Sequence, residues 1–356
     1  MSLISDKKFW SLCSHLKKID YIINNFYAIF NNRKIWNLNN LDSKSDFRLE
    51  GGYFVENREN IEHKRKEGNN FNDLIKNMKR RRTEQKKKPV KRLKKEEKTQ
   101  IKIASWNVCG LRSMLMKDGI QNLIDSEAPN IICFNETRLQ DKHIEAAEKL
   151  LPSSFSKYWN CSHGKKGYSG VAILTEVKPE QVIYGIGTER HDIEGRALTA
   201  EYKEFFLVNT YFPCAGRDYA YRTQQWDFAI RDYIAELQRK KPVIWCGDFN
   251  VINEDIDIYD IKGKEKMDCI TDEERRNFHT TLEECKLVDT FRYLNPGLRV
   301  YSHYSRRKVN AVEKGYGWRV DYILVSEIFK QHIEKAYIRT DIYGSDHLPC
   351  ILQMSI

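Results

Sequence analysis

No Cys-x-x-Cys spacing occurs among the nine cysteines, which are scattered from Cys13 to Cys350. That removes the usual zinc-binding frameworks, and an odd, dispersed set argues against a disulfide scaffold as well. A reducing compartment is the expectation. Long apolar runs are also missing: nothing approaches the roughly 18 to 20 residues that cross a bilayer, and no signal-peptide pattern opens the chain. No membrane association is expected, and no internal repeat is apparent.

What is present is a chain of 356 residues, 41% hydrophobic and 12% aromatic, enough for one large domain of about 250 residues plus an appendage. The formal charge of +10 is unevenly spread. Residues 1–100 hold 25 Lys/Arg against 13 Asp/Glu, a net +12, whereas the remainder holds 35 against 37, a net −2. A basic tail concentrates a protein on polyanions without providing chemistry. The nearly neutral remainder suits a site that holds carboxylates and recruits a cation.

Within 1–100, Phe9, Leu12, Leu16, Ile19, Ile23, Phe26 and Phe30 recur at steps of three and four, predicting a basic amphipathic helix over 7–30. A helix packed on the main domain, an organelle presequence and a partner-binding helix all fit it. Residues 31–75 read mostly as disordered linker. Two basic clusters follow in 79–95, around Lys79-Arg80-Arg81-Arg82 and Lys86-Lys87-Lys88, and read as a nuclear-import or nucleic-acid patch or as a solvated linker. The expected location is the nucleus, with a mitochondrial or other organelle pool if the helix acts as a presequence.

From Ile101 the texture changes to short β-rich segments with a few helices. Strands are predicted at 101–108, 130–135, 170–174, 197–202, 205–212, 242–246, 300–304, 319–325 and 350–355. Helices are predicted at 120–127, 142–151, 221–239 and 272–285, the last opened by a Thr271/Glu274 capping box. The 197–202 and 205–212 strands are joined too tightly for a parallel crossover. The pattern is an α+β domain over 101–356 with antiparallel pairing in its centre and helices outside.

Polar residues of one kind end several segments: Trp106-Asn107, Asn135-Glu136-Thr137, Gly247-Asp248-Phe249-Asn250 and Ser345-Asp346-His347. Any one could be a turn or cap. Four together, each where a strand delivers side chains to a sheet edge, point to a site. Carboxylate, amide and imidazole without a thiolate pair favour a hard cation, Mg²⁺ with Mn²⁺ as the alternative. Glu136 and Asp346 are the best anchors, and such an ion has the Lewis-acid capacity that phosphodiester hydrolysis needs.

The run Lys102-Ile103-Ala104-Ser105-Trp106-Asn107-Val108-Cys109-Gly110-Leu111-Arg112 resembles the opening strand of exonuclease III-type apurinic/apyrimidinic (AP) endonucleases. Asn135-Glu136-Thr137-Arg138, Gly167-Tyr168-Ser169-Gly170-Val171, Glu194-Gly195-Arg196, Tyr211-Phe212-Pro213, Ala215-Gly216-Arg217, Gly247-Asp248-Phe249-Asn250, Gly317-Trp318-Arg319-Val320-Asp321-Tyr322 and Gly344-Ser345-Asp346-His347 continue it in order. The resemblance implies a four-layered α/β sandwich, two packed mixed sheets flanked by helices. It also implies a metal site drawn from Asn107, Glu136, Asp248, Asn250, Asp346 and His347. Asp248 would take the proton of the attacking water, Asn250 would orient that water or stabilise the charged transition state, and His347, held by Asp321, would contact the phosphate. Tyr211 would be a hydrogen-bond donor or proton source. Arg112, Lys117, Tyr168, Arg196 and Arg217 would grip the duplex, and Trp318 with Val320 would wall a pocket for a sugar lacking its base. The implied activity is hydrolysis 5′ to abasic sites in double-stranded DNA during base excision repair, possible on blocked 3′ ends as well, by a monomer.

Three positions depart from the family pattern: Cys109 in place of an aspartate, Cys214 in place of an asparagine, and His303-Tyr304 in place of a bulkier aromatic pair, followed by a basic and longer 305–316 loop. The first puts a second metal position in doubt. A nonspecific deoxyribonuclease, or a phosphatase acting on a phosphorylated lipid or inositol, is the alternative within the superfamily, and the Trp318 element and the cysteine pattern argue against both. A regulatory DNA-binding protein on an inactive scaffold is the alternative outside it. Retention of Glu136, Asp248, Asn250, Asp321 and His347 argues against that.

Overall fold

The computed structural model describes residues 99–216, 218–305 and 310–356, together with the backbone of 47–50 and 53–56. The chain divides into two units, Met1–Lys94 and Lys95–Ile356. In the first, β1 (Phe47–Glu50) and β2 (Tyr53–Glu56) form an antiparallel hairpin with Glu50 opposite Tyr53. The hairpin occupies eight of the residues in the 31–75 segment that reads mostly as linker. The 7–30 helix, the 79–95 clusters and Arg217 lie outside the described residues.

The second unit holds two six-stranded sheets. One contains β3 (Gln100–Asn107), β4 (Ile131–Asn135), β5 (Ser156–Asn160), β6 (Val171–Thr175), β15 (Ile333–Ile338) and β16 (Cys350–Ser355), in the order β15-β16-β3-β4-β6-β5. The other contains β7 (Gln181–Tyr184), β8 (Ala197–Glu201), β9 (Phe206–Tyr211), β10 (Val243–Asp248), β11 (Leu287–Asp289) and β14 (Asp321–Ser326), in the order β11-β14-β10-β9-β8-β7. A short pair, β12 (His303–Tyr304) with β13 (Gly317–Trp318), stands apart. Each large sheet has one parallel pair, β3 with β4 and β9 with β10, and is otherwise antiparallel. The tight β8–β9 connection is antiparallel, as its length predicted.

Side-chain parity builds the layers. Ile103, Ile131 and Ile173 from one sheet meet Leu198, Leu207, Ile244 and Ile323 from the other in a central core. Their neighbours in sequence face outward, because successive strand residues point to opposite sides. Trp106, Ile132 and Phe134 pack on Ile120 and Leu123 of α1 (Gly119–Glu127), and Val208, Trp245 and Tyr322 pack with Ile230 and Ile234 of α2 (Asp227–Gln238) and Phe278 of α3 (Asp272–Glu284). Helix, sheet, sheet, helix is the four-layered sandwich. Both faces of the inner strands are covered, so β4, β6, β10 and β14 are buried throughout and read as continuous apolar runs.

Asn135 Nδ2 donates to Asn209 Oδ1 at 2.7 Å and to the Thr210 carbonyl at 3.0 Å, and Asn209 Nδ2 donates to the carbonyls of Phe134 (3.1 Å) and Ala172 (2.9 Å). This buried amide exchange ties one sheet to the other directly behind the strand ends. In register, Asn107 lies opposite Asn135, and Asp248 lies opposite both Tyr211 and Asp321. The polar groups singled out in the sequence thus leave the sheets at one edge.

Candidate active site

The strand exits are sharply turned. Cys109, Glu136, Arg138, Ser169 and Asn250 all adopt φ between 47° and 52° without being glycine, a conformation that costs of order 1 kcal/mol or more and collects at functional sites. Gly247 makes the opposite contribution: a Cβ there would lie 1.9 Å from the Thr210 carbonyl oxygen. Only glycine lets β10 approach β9 that closely and present Asp248.

Asp248 is buried. Its Oδ2 accepts from Asn107 Nδ2 at 2.8 Å and its Oδ1 from the Asn250 backbone N–H at 2.9 Å. Asn107 Nδ2 also donates to Glu136 Oε2 at 3.2 Å, so one amide links the two carboxylates. His347 Nδ1 pairs with Asp321 Oδ2 at 2.8 Å, and its Nε2 lies 3.9 Å from Asp248 Oδ2. Burial and the neighbouring Asp321 charge push Asp248 up to about 7. Burial acts to lower His347, but the facing Asp321 and Asp248 carboxylates outweigh it and raise the imidazole to about 10. His347 therefore carries its proton at neutral pH. Trp106 Nε1 donates to the His347 carbonyl (2.8 Å) and Ser345 Oγ to the Asn107 carbonyl (2.8 Å), which staple the His347 loop to β3.

Among the described residues, Asp248, Asp321 and His347 form a group whose ligand atoms lie within 4.8 Å of one another. The imidazole of that group is already held by Asp321 through Nδ1. Glu136 lies beside the group, its Oε1 accepting from Arg138 at 3.0 Å from Nε and 2.5 Å from Nη2. A carboxylate oxygen is the donor that a hard divalent ion takes, whereas Asn107 turns its Nδ2 to Glu136 and its Oδ1 accepts from the Cys109 N–H at 2.9 Å. Asp346 is half-buried; Ser345 Oγ donates to its Oδ1 at 3.3 Å and its charge acts on His347.

Tyr211 ends β9 and is buried. Burial and the carboxylates of Glu136 and Asp248 push its hydroxyl well above the usual phenol range, which keeps it a donor. Arg196 is 1% exposed. It donates to Glu194 Oε2 (2.7 Å), to the Tyr211 carbonyl (3.0 Å) and to Tyr168 Oη (3.0 Å). It braces the two tyrosines, where the resemblance placed it on the duplex. Arg112 and Lys117 are exposed, Lys117 Nζ reaching the Gly344 carbonyl at 2.7 Å, and Tyr168 is half-buried.

A cavity of about 390 Å³ opens beside Asn250 and His347, with Trp318, Val320 and His303 on one side and Cys214 and Cys269 on another. A larger surface depression of about 1010 Å³ between Asn253 and Lys330 contains none of the groups above, so size does not identify the site. Several supporting residues had no signal of their own in the sequence. Arg222, fully buried, donates to Asp227 Oδ1 (2.7 Å) and to the carbonyls of Pro213 (2.9 Å) and Phe249 (3.0 Å), holding two site loops together. Arg319 donates to both oxygens of Asp257 at 2.7 and 2.8 Å and fixes the segment between Trp318 and Val320. Each lies inside a quoted motif or a predicted helix, but only burial reveals its work.

Comparison with known proteins agrees with this geometry. The endonuclease/exonuclease/phosphatase family matches residues 104–347, and the chain belongs to that family. It is 42% identical over 260 residues to an exodeoxyribonuclease of Bacillus subtilis, covering 72% of this chain and 100% of the relative. It is 40% identical over 259 residues to the DNA repair nuclease APEX1 of Danio rerio, covering 72% and 83%. Among solved structures, an AP endonuclease from Leishmania major matches with a TM-score of 0.66 at 28% identity, covering 72% of this chain and 88% of that one. Within the family the chain is of the exonuclease III-type AP endonuclease kind: a nuclease of DNA repair.

Proposed function

We propose that the protein hydrolyses the phosphodiester 5′ to an abasic nucleotide in duplex DNA, leaving a 3′-hydroxyl and a 5′-deoxyribose phosphate, and that it also acts on blocked 3′ ends and as a 3′→5′ exonuclease. The observation that carries this is the cavity walled by Trp318 and Val320 next to Asn250 and His347. A nucleotide without its base has lost pairing and stacking, so flipping it out of the duplex costs less.

In this reading Asp248 accepts the proton of the attacking water at a carboxylate oxygen, while Asn250 orients that water. The His347 imidazolium and the Tyr211 hydroxyl face the phosphate as donors where charge develops. Glu136, with Asn107 and Asp346, would hold Mg²⁺ or Mn²⁺, which supplies charge neutralisation on a phosphate oxygen. Arg112, Lys117, Tyr168 and Arg217 would contact the duplex, and the enzyme would act as a monomer. The basic clusters at 79–95 support a nuclear location, with an organelle pool if the 7–30 segment directs import; undiminished nuclear signal from a fusion lacking 79–95 would reject this.

The decisive assay is metal-dependent incision of duplexes with and without a single abasic site. Strong preference for the abasic duplex, abolished by chelation, is expected. Equal cutting of both would reassign the protein as a nonspecific nuclease.

A further inference from the structure

We propose that Cys214 and Cys269 are a peroxide-responsive thiol pair at the mouth of the cavity, and that joining them in a disulfide shuts the cavity to its substrate. The inference rests on the cavity being the nucleotide pocket proposed above. Cys214, exposed, follows β9; Cys269, buried, lies just before α3 and adopts φ 69°. The two arrive from different elements and line the same cavity, and each thiol shifts the proton affinity of the other. Both are free thiols in the structure.

Their setting separates them from the other cysteines. Burial and the neighbouring Cys246 raise the proton affinity of Cys133 as well, but both cysteines are 0% exposed in the core between the sheets, where no oxidant reaches. Cys214 combines a neighbouring thiol with an open face. Its Cys269 neighbour, helped by the Gly216 backbone, lowers its thiol to about 7 against burial and the Asp268 carboxylate, whose Oδ2 lies 3.7 Å from the sulfur, while Cys269 itself is pushed well above the usual thiol range. A thiolate is the nucleophile, so a thiol in this range reacts at neutral pH.

The chemistry needs a peroxide as oxidant. The Cys214 thiolate attacks one peroxide oxygen, the O–O bond breaks, and hydroxide leaves, giving a sulfenic acid. The Cys269 sulfur gives up its proton and attacks the Cys214 sulfur; the S–O bond breaks and water leaves. Two thiols are oxidised to one disulfide and one peroxide is reduced to two waters. The bridge binds the segment after β9 to the segment before α3. It also removes the Cys269 hydrogen donated to Asn250 Oδ1 at 3.7 Å, disturbing the amide that faces the reacting water.

The test treats the full-length protein with hydrogen peroxide, maps disulfides by non-reducing digestion and mass spectrometry, and measures incision of abasic and intact duplexes before and after dithiothreitol. A peptide pair bridging Cys214 and Cys269 should form, with abasic incision falling about a hundredfold, the scale of an ångström-sized displacement at a reacting centre, and returning on reduction. Cys214→Ser and Cys269→Ser, each compared with its own untreated rate, should keep that rate under peroxide, whereas Cys109→Ser should lose it as the unmodified protein does. No bridged peptide, or a Cys214→Ser variant as sensitive as the unmodified protein, overturns the proposal. Equal cutting of abasic and intact duplex by untreated protein would instead strike the functional reading, while the bridged peptide still reports on the thiols.

Discussion

Asp248 sits where three influences meet: full burial, the Asp321 carboxylate, and the protonated His347 that lies between them. The first two raise its proton affinity and the third lowers it, leaving a carboxyl that titrates near 7 beside an imidazole that titrates near 10. A base must be deprotonated to act, so incision should rise as pH passes about 7; the imidazolium must stay charged, so incision should fall as pH approaches about 10. Asp248→Asn should keep the fold and DNA binding but reduce incision by roughly 10²- to 10⁴-fold and flatten the rising limb. A pH profile of kcat/KM for both proteins checks this, and near-normal incision by the variant would remove Asp248 from the proposed mechanism. At this scale the sequence was informative because Asn107, Glu136, Asp248, Asn250 and His347 occupy ordered motifs at strand ends. Arg138 on Glu136, Cys269 beside Cys214 and the inward turn of Arg196 were not legible, since each depends on where a side chain points after a turn of positive φ.

Among elements, the β12–β13 pair and the 3₁₀ turn Asp255–Asp257 carry the cavity wall, and they depend on one buried carboxylate. Burial would raise Asp257, but Arg319 and Arg292 hold it below the usual carboxylate range, so its stabilising contribution is present above that range and lost as pH falls through its depressed value. Asp257→Asn leaves Arg319 and Arg292 short of charge. The expected cost is near the lower end of the about 3–5 kcal/mol typical of breaking a buried pair, because Asp289 still faces Arg319 at 2.7 Å. Urea unfolding should show the loss, and preference for abasic over intact duplex should drop with it; unchanged stability would mean the cluster is not what holds the wall. Periodicity found α1, α3 with its capping box, and the inner strands. It missed β5, β7, β11 and β15, all four at sheet edges, where half-exposed residues blur the apolar pattern. The predicted 221–239 helix is broken by a π-helical turn at Arg222–Trp226, which positions the buried Arg222 guanidinium. The 142–151 helix contracts to Ile144–Glu148 behind a 3₁₀ turn, and the 300–304 strand to two residues.

For the whole molecule, charge is partitioned away from chemistry: +12 in residues 1–100 and −2 in the rest. Removing Met1–Lys94 should leave incision at saturating DNA nearly unchanged, weaken binding, and flatten its salt dependence, each lost phosphate contact taking about 0.9 from the log–log slope. Equal slopes for full-length and shortened protein would assign the segment to targeting alone. The cut belongs before Lys95, since Thr99 exchanges backbone hydrogen bonds with Ile356 and Gln100 pairs with Ser355. Composition located the change of texture near residue 100, but the two segments that meet there, Thr99-Gln100 and Ser355-Ile356, are distant in sequence and only the fold joins them. The amide exchange between Asn135 and Asn209 has a further effect on how the protein fails. Glu136 leaves one sheet and Asp248 the other, so parting them would strand several buried polar groups at once, and sub-global opening of the kind that exposes loops elsewhere is closed to this region. Heat or denaturant should therefore extinguish cutting and foldedness in a single cooperative step, with no loosened but competent population between.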